Sequence, residues 1–105
     1  MAESLPPLTP ADFQLALTNP NFKTYLVFGK GSDKAWKVGK AAQRFLPGVR
    51  AYLAKSEVAA ELRGTYSIPR THVAVVFTLE GKVATTLTKG KSKDFLSVAE
   101  AIAGA

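Results

Sequence analysis

The chain has 105 residues, a net charge of +6 from 14 Lys+Arg against 8 Asp+Glu, a hydrophobic share of 47% and no cysteine. That length sets one domain with a modest core, and the apolar share excludes a disordered chain. The missing thiol excludes disulfides, thiolate metal sites and thiol redox chemistry.

The positive balance suits contact with nucleic acid, an acidic protein or a membrane surface; a merely soluble surface reads the same way. No apolar run approaches the ~18–20 residues that span a bilayer. Met1–Pro7 has no basic flank ahead of an apolar stretch, so no secretory signal is expected and the cytoplasm is the expected compartment.

Residues 1–8 read as an extended arm, because Pro6 and Pro7 block a helix and restrict their neighbours. Residues 9–105 read as the folded domain. Thr9-Pro10-Ala11-Asp12 starts a helix, with Thr9 as cap, Pro10 at the first helical position and Asp12 at the positive end; Asn19-Pro20 stops it. Thr24–Phe28 is a buried strand, broken by Gly29-Lys30-Gly31-Ser32. A second helix runs from about Asp33 to Leu46 and ends at Pro47-Gly48. Val49–Ala54 is a strand with Val49, Ala51 and Leu53 on one face and Arg50 and Tyr52 on the other. Ser56-Glu57 opens a short helix through about Arg63, with Gly64 as its terminator. His72–Thr78 is the most strand-like run, a tight turn follows at Leu79-Glu80-Gly81-Lys82, and Lys82–Thr88 returns as its partner. Gly90 breaks the chain. Ser92 is expected to cap a last helix with Phe95, Val98, Ala99 and Ile102 on one face.

A strand–helix–strand crossover implies a parallel pair, and the hairpin adds antiparallel edges. The fold class is therefore α/β, a central mixed sheet of about four strands flanked by helices. Val73, Val75 and Phe77 are expected on one side of their strand and Ala74 and Val76 on the other. Since both sets are apolar, helices should cover both faces.

Leu8-Thr9-Pro10-Ala11-Asp12-Phe13 resembles the start of the first helix in thioredoxin-like proteins. Tyr66-Ser67-Ile68, Val73–Phe77, Gly81-Lys82-Val83 and Ser92-Lys93-Asp94-Phe95-Leu96 resemble their C-terminal half. The resemblance covers about residues 8–103, with the family's first strand shortened or missing. It implies a thioredoxin-like fold whose redox centre has been lost. The family's Cys-x-x-Cys box matches Asp33-Lys34-Ala35-Trp36, without either sulfur. The family also sets a cis-proline before the third strand, opposite the box, and two positions compete for it. Pro69 follows Ile68 but lies 12 residues before Gly81, several too many. A gapless count back from Phe77 puts His72 there, and the bond before His72 should then be trans.

His72 is the sole histidine, without a second histidine, a cysteine or a neighbouring carboxylate to complete a dyad or metal site, and reads as a polar residue at a strand entrance. Gly29-Lys30-Gly31-Ser32 sits between a strand and a helix, where backbone amides suit an anion, but lacks full phosphate-loop spacing. No nucleophile elbow occurs. No catalytic residue, metal or cofactor is expected.

The second helix carries the clearest surface signal. Lys30, Lys34, Lys37, Lys40 and Arg44 form a basic ridge whose helical members span about a third of the circumference, with Val38, Ala42, Phe45 and Leu46 assigned to the opposite side. A solvated face has this pattern, and so does a ridge for phosphates or an acidic partner. Trp36 lies between the two arcs, either packed under the preceding loop or exposed as a binding anchor. Lys89-Gly90-Lys91-Ser92-Lys93 adds three further positive charges.

The resemblance permits a non-redox binding or assembly module that acts by protein contact, an accessory or structural subunit of a larger complex, a viral one included. The alternative is a nucleic-acid-binding accessory protein using the basic ridge. An enzyme using non-thiol chemistry is disfavoured by the isolation of His72.

Overall fold

The structure is a computed structural model and describes residues 10–29 and 34–105. Nine elements follow in order: α1 (Pro10–Leu17), β1 (Lys23–Phe28), α2 (Lys34–Phe45), β2 (Val49–Ala54), α3 (Ser56–Tyr66), β3 (His72–Phe77), β4 (Val83–Thr88), α4 (Lys89–Ser92) and α5 (Phe95–Ala103). The four strands form one mixed sheet in the order β2-β1-β3-β4. β1 pairs parallel with β2, from Lys23 opposite Val49 to Phe28 opposite Ala54. It pairs antiparallel with β3 on its other side, and β3 pairs antiparallel with β4. The carboxyl ends of β1 and β2, the start of β3 and the end of β4 therefore share one end of the sheet.

The central strands are apolar at every position from Tyr25 to Phe28 and from Val73 to Phe77, so both sheet faces need cover. On one face Tyr25, Val27, Ala51, Leu53, Ala74 and Val76 pack with Ala35, Trp36 and Ala42 of α2 and Val98 and Ile102 of α5. On the other, Leu26, Phe28, Val75 and Phe77 pack with Phe13 and Leu17 of α1 and Ala59 and Leu62 of α3. Phe77 is the centre of this second layer, with Phe13 and Tyr66 edge-on at 5.2 Å between ring centroids. Burying one such ring stabilises the fold by about 1.5–3 kcal/mol.

Three local expectations are corrected. Gly64 does not end α3. The helix runs on to Tyr66, and Ser67 takes the left-handed conformation at φ 55° while its N–H donates to the Arg63 carbonyl. Gly90 does not break the chain, because Lys89–Ser92 forms a helical turn directly after β4. Ser92 does not cap the last helix. It is fully buried and its hydroxyl donates to the Lys89 carbonyl at 2.9 Å. Asp94 is the cap of α5, its carboxylate accepting from the Ser97 amide at 3.1 Å and the Ser97 hydroxyl at 2.8 Å. Val75 and Phe77 lie on one face and Ala74 and Val76 on the other, as expected. The register with β4 shifts between His72 and Ala74, and Val73, within the shift, lines a cavity at the end of the sheet.

The β3–β4 turn forms where expected. Gly81 lies at φ 80°, a conformation that favours glycine. The Gly81 amide donates to the Thr78 carbonyl at 3.0 Å, and the Thr78 amide to that of Lys82 at 2.8 Å. The arm at residues 1–8 lies outside the described residues. No helix among the described residues is long and apolar enough to cross a membrane.

Candidate binding surface

Of the four residues matched to the redox box, the structure describes three. Asp33 lies outside the described residues. Lys34 is exposed at the start of α2, whereas Ala35 and Trp36 are buried in the core under the helix. With 2% of its surface accessible, Trp36 is a packing residue, and its reading as an exposed anchor is corrected. It shares the buried face of α2 with Ala35, Val38, Gly39 and Ala42.

His72 is half-buried, and its Nδ1 lies 2.6 Å from the Thr86 hydroxyl on β4. Val73, one residue on, lines a cavity of about 340 Å³ with Phe28, Lys34, Ala35, Lys89 and Lys93. No peptide bond among the described residues is cis, those before Pro69 and His72 included. The Pro69 and His72 carbonyls both accept from one Arg63 guanidinium nitrogen, at 2.6 and 2.8 Å. The same guanidinium stacks 4.4 Å from the Phe28 ring centroid. Burial and the nearby Arg70 lower its basicity. Arg63 thus ties the segment before β3 to α3, a role that no sequence signal announced.

The basic ridge is present in part. Lys30 lies outside the described residues. Lys34, Lys37 and Arg44 are exposed, and Lys40 is half-buried. Phe45, assigned to the apolar side, is 66% exposed. The helix itself explains the correction. Phe45 follows Lys34 by eleven residues and so stands only about 20° from it around the axis. Leu46, one residue further, turns back towards the core.

Beside Phe45 runs a groove of about 560 Å³ along the outer edge of β2, lined by Phe22, Gln43, Arg44, Phe45, Arg50 and Tyr52 among others. Two guanidinium–aromatic stacks flank it, Arg44 over Phe45 at 5.4 Å and Arg50 over Phe22 at 4.2 Å. The Gln43 side-chain oxygen accepts from the Ala51 amide at 2.8 Å, which occupies a backbone donor of the edge strand. Arg50 and Tyr52 were legible as the polar set of β2. Phe22 and Gln43 were not, because their meeting depends on the helix end and the strand start folding together.

Among the described residues no three acidic or histidine side chains gather to hold a metal. No protein-family model matches the chain, and a search of the curated proteins finds no match. The functional reading therefore rests on the surface just described.

Proposed function

We propose that the protein is a non-redox, thioredoxin-like binding module that acts by contact with another protein, as an accessory or structural subunit of a larger assembly. The thioredoxin-like part is supported by the β2-β1-β3-β4 sheet with a single parallel pair, by helices on both faces, and by the motif resemblance in the C-terminal half. The non-redox part is supported by the absence of cysteine.

The observation that carries the contact reading is Phe45, 66% exposed beside the β2 groove and overlain by Arg44. An exposed aromatic ring with arginines around it is the kind of group that dominates protein–protein binding energy. The expected partner surface is acidic with an apolar pocket, because Arg44 and Arg50 flank the ring and the groove.

The test is a photo-crosslinking residue at position 45 in extract of the native host, followed by titration of the isolated partner against Phe45→Ser. The exposed substitution should change stability by less than about 0.5 kcal/mol, while binding weakens by more than about tenfold. Equal affinity of the two proteins for the partner sinks the reading.

The second reading, nucleic-acid binding, is favoured by Lys34, Lys37 and Arg44 standing exposed along α2. It requires affinity for DNA or RNA that falls linearly on a log–log plot against salt, by counterion release. Charge reversal at Lys37 and Arg44 should flatten that slope. The protein-contact reading expects weak salt dependence and no such affinity.

A further inference from the structure

The cavity at the other end of α2 collects cations from two separate parts of the chain. Lys34 opens α2, and Lys89 and Lys93 come from the turn after β4, yet all three line one concavity of about 340 Å³. Lys89 and Lys93 stand four residues apart, and Lys93 keeps helical dihedrals at φ −92°, ψ −3°. Like charges at that spacing on one helical face repel, and Lys34 adds a third.

None of the three ammonium groups has a protein partner among the described residues. The adjacent Asp94 is engaged in capping α5, and Asp33 lies outside the described residues. The arrangement is held rather than loose, because buried Ser92 fastens the turn by donating to the Lys89 carbonyl. A local rule broken in a fixed structure marks a functional site better than a stability device.

We infer that this cavity binds a phosphate monoester. Three compact ammonium charges match a compact dianion better than a monoanion, and α2, a helix of 12 residues, directs its positive end to the same place. Phe28, Ala35 and Val73 give the cavity an apolar floor. That floor strengthens the attraction by lowering the local dielectric and offers a surface to the group that carries the phosphate. The site lies off the carboxyl end of β1, where open α/β sheets leave their binding crevices. A phosphorylated side chain and a small organic phosphate present the same chemistry here.

The test is an amide-shift titration of the full chain with phenyl phosphate, inorganic phosphate, benzoate and a phosphotyrosine peptide. Phenyl phosphate should shift Phe28, Ala35 and Val73 and bind at least about tenfold more tightly than benzoate, since a hydrogen bond to a charged group is worth that much in affinity. Inorganic phosphate should bind more weakly than phenyl phosphate, because it leaves the apolar floor unused. Lys89→Gln with Lys93→Gln should weaken phenyl phosphate at least about tenfold. Lys55→Gln with Lys82→Gln, which removes the same charge elsewhere, should change it less than about twofold. If the first double variant unfolds, Lys34→Gln replaces it, with the same expectation. A peptide that binds more tightly than phenyl phosphate points to a phosphorylated side chain, and equal binding points to a small organic phosphate. No shift at those residues, equal affinity for benzoate, or equal loss in the two double variants would overturn the site.

Discussion

Tyr25 carries its hydroxyl into the core between the sheet and α2, fully buried and without a hydrogen-bond partner among the described residues. An unmatched buried hydroxyl forfeits its hydration, at a cost of about 1–3 kcal/mol. Tyr25→Phe should therefore leave the fold as stable as before or more stable by about 1 kcal/mol, as measured by urea unfolding. A loss larger than that would mean the hydroxyl is bonded, for instance to a buried water. Burial also raises the phenol's pKa well above its ordinary value. Its folded-state pKa being the higher one, the proton is held more tightly in the native state. The stabilisation is thus complete below about pH 10, the unfolded value, and declines as pH rises beyond it. Alkaline unfolding should begin there, and Tyr25→Phe should lack that component. The pattern of β1 made Tyr25 legible as buried. It could not show that no acceptor lies across from it, because that depends on how α2 seats on the strand.

Two glycines on two helices make opposite predictions at the scale of the element. Gly64 lies within α3, where an added Cβ meets nothing within 4 Å. Gly64→Ala should stabilise the protein by about 0.5–1 kcal/mol through helix propensity, read as a higher melting temperature. Gly39 lies in α2 against β1, where the same atom would come within 3.0 and 3.1 Å of the Tyr25 ring. That ring is enclosed on all sides, so Gly39→Ala should be destabilising by about 1–3 kcal/mol despite the better propensity. A stabilised Gly39→Ala would show that α2 can slide on the sheet. The same contrast explains what was legible. Strands β1 and β3 were evident because continuous apolar runs of strand length leave few alternatives. Helix ends were not, because Gly64, Ser92 and Asp94 each carry the chemistry of a terminus and only tertiary packing selects among them. The bulge at Val73 had no sequence mark at all. Of the candidate site, the ridge lysines on α2 were evident from spacing. The meeting of Lys34 with Lys89 and Lys93 was not, because it is fixed by the hairpin returning β4 to the end of the sheet where α2 starts.

At the scale of the whole molecule, the sheet has helices on both faces and a strand at each border. Ala35 and Trp36 at the start of α2 are buried in the layer between that helix and the sheet. Insulin reduction by dithiothreitol should follow the protein-free rate, since thiolate attack needs a thiol the chain lacks; acceleration would contradict this. The two borders differ. On the outer side of β4 no strand is paired among the described residues, although Lys82 and Lys89 guard its ends with charge. On the outer side of β2, Gln43 holds the Ala51 amide. A sheet with two unlike open borders is a unit that can add head to tail without closing, so growth along one dimension has no natural stop. The Gln43 oxygen therefore blunts the β2 border against a further strand. Gln43→Ala should turn a solution that scatters light weakly at all concentrations into one whose scattering climbs with concentration and time, while a second change, Thr86→Lys on the opposite border, should arrest the climb.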